Sequence, residues 1–105
     1  MNMKHCMIRM AIACSMVIGT AVQAQDGAAL YSSKACIACH GIDAKTSTTD
    51  AIPKLAGQNK TYLVQQMKDF KSGARNNGQA AQMTGIIGNV SDEEIEALAE
   101  YLSGL

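Results

Sequence analysis

The run Cys36-Ile37-Ala38-Cys39-His40 decides how this chain folds. Two cysteines at this spacing, followed at once by a histidine, form the C-x-x-C-H signature of c-type haem attachment. In that chemistry the two thiols add to the haem vinyl groups, and the histidine imidazole falls under the iron as its proximal ligand. The motif therefore predicts one covalently bound haem c with its iron, attached through Cys36, Cys39 and His40.

Other uses of a paired-cysteine motif fit this chain poorly. A structural zinc site needs four Cys or His ligands, and the further candidates, His5, Cys6 and Cys14, lie far away near the N-terminus. A thioredoxin-like motif needs a βαβ setting, and no strand pattern is visible. A plain disulfide would not explain the histidine that follows Cys39.

Residues 1–24 have the outline of a secretory signal peptide. Lys4 and Arg9 give a positive start, an apolar stretch covers residues 10–22, and small residues precede a cleavage position after Ala24. The apolar stretch is too short for a membrane span, which needs about 20 residues. The pattern predicts export to the periplasm, which suits a protein whose cysteines must meet haem outside the cytoplasm.

The remaining residues, 25–105, are predicted to form a single monohaem domain, because no second C-x-x-C-H occurs. A lipoprotein signal at Cys14 is a weaker alternative, since apolar sequence continues past Cys14 and no leucine lies three residues before it.

Charge is distributed unevenly along this domain. Residues 26–75 hold seven Lys or Arg and four acidic residues, whereas residues 76–105 hold five acidic residues and no Lys or Arg. The segregation predicts a molecular dipole that orients encounters with a partner of acidic or mixed surface, and the alternative is that these charges are ordinary solvated faces. The chain has neither a basic patch nor a set of stacking aromatics, so we do not expect it to bind nucleic acid.

Helical patterns occur three times and no strand pattern occurs, which predicts an all-α fold of about three helices packed around the haem. The predicted helices cover about 26–34, 59–72 and 91–103, and Asp26, Asn59 and Ser91 are their N-cap residues. Ser91 opens a capping box that ends at Glu94, and Asp26 and Asn59 are candidate caps of the other two helices.

The second helix has apolar residues at helical spacing, which predicts one buried face formed by Tyr62, Leu63, Met67 and Phe70. Residues 41–51 are polar and are predicted to form a surface loop, and residues 79–89 are predicted to have irregular structure.

The second axial ligand of the iron can be sought among few residues. After loss of the leader the domain keeps one histidine, His40, and two methionines, Met67 and Met83. Met67 belongs to a helical apolar stripe and is predicted to fill the core. Met83 lies in the predicted irregular stretch between small residues, where the backbone can approach the iron. We therefore predict His40 and Met83 as the iron ligands.

These features resemble class I cytochrome c. The haem motif near the start of the domain, a later methionine and a closing helix that includes Leu98-Ala99-Glu100-Tyr101-Leu102 follow the order of that family. The resemblance implies that the first and last helices cross through Gly27 and Tyr31. It also implies that the Pro53 carbonyl accepts a hydrogen bond from the proximal histidine.

A narrower resemblance covers essentially all of residues 26–105. The run Pro53-Lys54-Leu55-Ala56-Gly57-Gln58 and the downstream Gly73-Ala74-Arg75 are similar to bacterial periplasmic cytochromes of the two-haem c-four type and their one-haem relatives. This chain has one haem motif and thus resembles the single-domain members. Gln58 and Arg75 either reach haem propionates or belong to the solvated surface.

The resemblance implies a soluble periplasmic one-electron carrier and not an enzyme, since an iron bound by His and Met has no open position. Expected partners are redox proteins such as a membrane-bound oxidase, a quinol-oxidising complex or a periplasmic reductase or dehydrogenase. We expect a monomer that associates with membranes only through partners. A dedicated electron-accepting subunit of a dehydrogenase remains an alternative.

An open-site haem protein is the third class. Gas-binding cytochromes of the four-helix-bundle kind carry C-x-x-C-H near the C-terminus, whereas here it lies near the N-terminus of the domain. A peroxidase would need a distal acid–base residue, and no second histidine remains after the leader.

Overall fold

The computed structural model describes residues 26–105, so the predicted signal peptide at 1–24 lies outside the described residues. Within this range the chain forms five helices and no strand, which confirms the all-α class. The helices are α1 (Gly27–Ser33), α2 (Cys36–His40), α3 (Lys60–Ser72), α4 (Ala80–Ile87) and α5 (Asp92–Ser103). None of the described helices is long and apolar enough to span a bilayer.

The first and last helices begin where their capping residues predict. The Asp26 carboxylate accepts hydrogen bonds from the backbone N–H groups of Ala28 (3.0 Å) and Ala29 (3.3 Å). At α5 the Ser91 hydroxyl accepts from the Glu94 N–H at 3.2 Å, and the Glu94 carboxylate accepts from the Ser91 N–H at 3.0 Å. The capping box therefore satisfies two N–H groups that the helix itself leaves without partners.

Helix α3 follows its predicted span but not all of its predicted contacts. Asn59 occupies the N-cap position without a capping bond from its side chain, and Gly73 ends the helix in the left-handed conformation (φ 82°). Leu63 and Met67 are buried, whereas Tyr62 is 49% exposed. The prediction of a buried Tyr62 is wrong because this side chain lies at the edge of a cavity and not in the core.

Helices α2 and α4 are absent from the sequence prediction. The stretch 79–89 was expected to be irregular, and most of it forms α4, so Met83 lies on a helix. The N-cap residue Gln79 makes no side-chain capping bond, and Gly85 in the helix interior lowers its intrinsic helix propensity. Contact with α3 stabilises α4 instead, as is usual for short helices.

Helix α5 lies at the centre of the packing and contacts both α1 and α3. Its buried stripe consists of Ile95, Leu98, Ala99 and Leu102. The crossing with α1 is close, because a Cβ at Gly27 would lie 2.3 Å from the Ala97 carbonyl oxygen and 2.5 Å from the Tyr101 Cβ. The rings of Tyr31 and Tyr101 pack at 5.9 Å between centroids. The predicted crossing through Gly27 and Tyr31 is confirmed.

Candidate functional site

A cavity of about 420 Å³ lies between α2, the segment 51–58, α3 and α4. This volume is in the range of ~300–1,000 Å³ that small-molecule and cofactor sites occupy. All four predicted site residues line it: Cys36, Cys39, His40 and Met83. Much of the remaining wall is apolar and comes from α3, α4 and α5, with Leu63, Phe70, Ile86, Ile87, Leu98 and Leu102.

The C-x-x-C-H motif forms the whole of α2. Side chains at positions i, i+3 and i+4 share one face of a helix, so Cys36, Cys39 and His40 all point toward the cavity that they line. Cys36 and His40 are buried, and no disulfide joins Cys36 to Cys39. Burial raises the pKa of the Cys36 thiol, since a thiolate is poorly solvated there.

The His40 ring is held by a hydrogen bond. Its Nδ1 lies 2.8 Å from the Pro53 carbonyl oxygen, as the family resemblance implied. A carbonyl can only accept, so Nδ1 carries the proton and Nε2 keeps a free lone pair. The contact therefore selects the tautomer in which Nε2 can bind a metal.

Both methionines of the described chain line the cavity, so position at the cavity wall alone does not distinguish Met83, the predicted ligand, from Met67. Burial distinguishes the two. Met67 is 8% exposed and belongs to the core cluster, whereas Met83 is only partly buried and packs at the edge of that cluster. Met67 thus packs in the core, as the sequence predicted, and it also lines the cavity.

Among the described residues, Arg75 is the one Lys, Arg, Asp or Glu that lines the cavity. Its guanidinium lies 4.7 Å from the centroid of the Phe70 ring and donates a hydrogen bond of 2.8 Å to Gln66 Oε1. Gln58 lines the cavity too, and its amide donates to the Lys54 carbonyl. A stacked and hydrogen-bonded guanidinium is an oriented cation, suited to an anionic group.

The loop 41–51 contains an ordered turn that its polar composition did not reveal. The Asp43 carboxylate accepts hydrogen bonds from the N–H groups of Lys45 (2.9 Å) and Thr46 (2.8 Å) and from the Thr46 hydroxyl (3.1 Å). These donors hold the pKa of Asp43 below its usual range. The turn encloses Ala44, which is fully buried.

The donor set in the cavity fits a covalently attached haem. Two thiols and one imidazole lie on one helix face, the imidazole keeps its Nε2 lone pair, and thioether sulfurs are available from two other helices. Among the described residues, His, Cys, Asp and Glu side chains form no cluster of three that could hold a bare metal ion.

The family model for cytochrome c matches residues 24–105. The chain belongs to the cytochrome c family. Cytochrome c domains bind haem c and its iron covalently, and Cys36, Cys39 and His40 are the attachment motif of this cytochrome. The predicted cofactor and the predicted class I fold are confirmed.

Three similar proteins illustrate the relationship. Cytochrome c-553 of Nitratidesulfovibrio vulgaris is 35% identical over 104 residues, which cover 98% of this cytochrome and 100% of that protein. The solved structure of cytochrome c4 from Acidithiobacillus ferrooxidans matches with a TM-score of 0.67 and 32% identity over 80% of this chain and 50% of that chain. A thiosulfate dehydrogenase electron acceptor of Stutzerimonas stutzeri is 35% identical over 98 residues, 87% of this chain and 44% of that protein.

The chain thus spans the whole of cytochrome c-553 and half or less of the other two proteins. The predicted kinship with single-domain relatives of the c4 type is confirmed.

Proposed function

We propose that this cytochrome is a soluble periplasmic one-electron carrier whose iron is bound by His40 and Met83. The observation that carries this proposal is that the two side chains line one cavity from α2 and α4, with the Nε2 lone pair of His40 free. Haem c supplies a one-electron couple between ferrous and ferric iron. If His40 and Met83 both bound the iron, it would have no open position for a substrate, which favours a carrier over an enzyme.

The chain's own residues set the properties of that couple. The Pro53 carbonyl fixes the His40 ring and makes its imidazole more basic, which strengthens it as a ligand. A thioether ligand from Met83 raises the reduction potential. The apolar wall limits access of water, and a dry environment disfavours the form of the iron with the higher charge.

Localisation and partners follow from sequence and relatives together. The signal-peptide pattern at residues 1–24 supports a periplasmic location. Partners would be redox proteins such as an oxidase, a quinol-oxidising complex, a reductase or a dehydrogenase. A second candidate, favoured by the relative named as an electron acceptor of thiosulfate dehydrogenase, is a dedicated acceptor for one periplasmic dehydrogenase. Size-exclusion of the native protein separates the two, because a free carrier elutes alone.

Replacement of each methionine tests the ligation. We expect Met83→Ala to abolish the long-wavelength absorption band of sulfur-ligated ferric haem and to lower the reduction potential. We expect Met67→Ala to keep the band and to reduce the free energy of unfolding by roughly 2–5 kcal/mol, because it empties space in the core. A band that survives in Met83→Ala and disappears in Met67→Ala would identify Met67 as the ligand.

A further inference from the structure

The turn at residues 41–46 connects the haem motif to the segment that carries Pro53. We propose that Asp43 is a positioning residue for His40: the turn that its carboxylate organises sets the place of the Pro53 carbonyl that the His40 ring contacts. This role presupposes the proposed function, in which His40 is the proximal ligand of the iron. Asp43 itself acts only through Ala44 and Pro53.

The conformation of Ala44 needs support from its surroundings. Ala44 has a φ of 58°, a left-handed conformation that alanine rarely adopts, and its side chain is fully buried. An L-residue in this region is disfavoured by roughly 1–2 kcal/mol. The three hydrogen bonds to the Asp43 carboxylate close the turn around Ala44 and offset that cost.

The Ala44 carbonyl in turn holds the segment that carries Pro53. It accepts hydrogen bonds from the N–H of Leu55 at 2.9 Å and from the N–H of Ala56 at 3.2 Å. These two amides lie two and three residues after Pro53, so the turn holds the chain just beyond the carbonyl that faces His40. A second anchor, from the N–H of Gly57 to the Leu102 carbonyl at 2.9 Å, ties the segment to α5.

The same turn is fixed to the residue that follows His40. The Gly41 carbonyl accepts from the Ala44 N–H at 3.2 Å and from the buried Tyr31 hydroxyl. Gly41 has a φ of 88°, and a Cβ there would lie 2.0 Å from the Thr46 carbonyl oxygen. One turn therefore controls both the direction in which the chain leaves His40 and the acceptor for the His40 ring.

This arrangement gives Asp43 an effect on the iron without contact with it. If the turn loosens, the Pro53 carbonyl retreats and the hydrogen bond from His40 Nδ1 lengthens. The imidazole then becomes a less basic ligand, which stabilises ferric iron less. The reduction potential should rise.

Two substitutions at Asp43 separate this effect from that of charge. Asp43→Ala and Asp43→Asn both remove one negative charge, but asparagine keeps a side-chain oxygen that accepts from the two backbone amides. In the holoprotein we expect a higher reduction potential in Asp43→Ala than in Asp43→Asn. We expect the Leu55 and Ala56 amides to exchange with solvent about tenfold faster in Asp43→Ala, equivalent to ~1.4 kcal/mol. Asp50→Asn, an exposed acid in the same loop, gives the effect of charge alone.

Equal potentials in Asp43→Ala and Asp43→Asn would overturn this role for Asp43, whatever the exchange rates. That result would leave the proposed function standing as long as the wild-type spectrum shows His–Met ligation and Met83→Ala abolishes it. A wild-type protein without the spectrum of His–Met ligation would instead refute the ligation, independently of Asp43.

Discussion

Within residues 26–105, Arg75 is the one Lys or Arg that lines the haem cavity, and we expect its effect on the iron to be electrostatic. Removing a positive charge near the iron stabilises the ferric form, which carries the higher charge. At an effective dielectric constant of ~20, the interaction between two unit charges in one site is on the order of 1 kcal/mol. For one electron this corresponds to a fall in potential of roughly 40 mV. We therefore expect Arg75→Gln to lower the reduction potential by about this amount.

Two variants separate the charge of Arg75 from its packing. Arg75→Lys keeps the charge but loses the stack on Phe70, and it should retain most of the wild-type potential. Lys68→Gln removes a cation that does not line the cavity, and the potential should change less. If Arg75→Lys lowers the potential as much as Arg75→Gln, the contacts with Phe70 and Gln66 matter and the charge does not.

The sequence predicts the roles of some residues of the site but not of others. The attachment motif is predictable because Cys36, Cys39 and His40 occupy one face of a single helical turn, so their spacing alone brings them together. The role of Asp43 was not predicted, because the polar composition of a loop does not show which of its carbonyl groups will hold another segment in place. Its signal was present nonetheless, since Asp43 and Thr46 have the spacing of a side-chain-stabilised turn.

The crossing of α1 and α5 leaves no room for a side chain at Gly27. A methyl group at Gly27 would lie 2.3 Å from the Ala97 carbonyl oxygen, and backbone cannot move aside cheaply. We expect Gly27→Ala to force α1 away from α5 and to lower the free energy of unfolding by roughly 1–3 kcal/mol. Denaturant unfolding of the holoprotein measures the change.

A second glycine provides the matched control for Gly27. Gly85 is exposed within α4, and a Cβ there would meet nothing within 4 Å. Since alanine is favoured over glycine in a helix interior by roughly 0.8–1.0 kcal/mol, Gly85→Ala should stabilise the protein. Destabilisation by both substitutions to a similar extent would mean that the α1–α5 crossing is not especially tight.

Helix boundaries in this chain were predictable where local chemistry determines them. Asp26 and Ser91 cap with their own side chains, and Gly73 ends α3 in a conformation that glycine adopts readily. Helix α4 has no such local signal, because its glycine and its uncapped start argue against a helix. Contact with α3 decides its structure, and a tertiary contact of this kind is not visible in a short window of sequence.

The charge segregation along the chain is partly cancelled in the folded molecule. Acidic side chains of α5 pair with lysines from elsewhere: Lys34 with Glu94 at 3.6 Å, Lys60 with Glu100 at 3.0 Å and Glu96 at 3.8 Å, and Lys71 with Asp92 at 3.8 Å. The dipole expected from sequence is therefore reduced, since three cations lie against the acidic helix. Within residues 26–105, the cations outside these pairs are Lys45, Lys54, Lys68 and Arg75.

Lys54 is placed to act on approaching redox partners, because it is exposed and follows Pro53, which lines the cavity. A positive charge there raises the local concentration of anions near the cavity, and salt screens the effect over about 10 Å at 0.1 M. We expect oxidation of the ferrous protein by hexacyanoferrate(III), a small anion, to slow as ionic strength rises. Lys54→Gln should reduce the rate at low salt and flatten this dependence.

Lys45→Gln is the control for net charge. Lys45 is also exposed and outside the ion pairs, but it lies in the turn 41–46, which does not line the cavity. Steering through Lys54 predicts a smaller change for Lys45→Gln, and a rate increase in Lys54→Gln when a cationic cobalt(III) complex replaces hexacyanoferrate. If the two variants behave alike with both oxidants, only total charge matters, and docking would depend on the uncharged rim of the cavity around Pro53 and Tyr62.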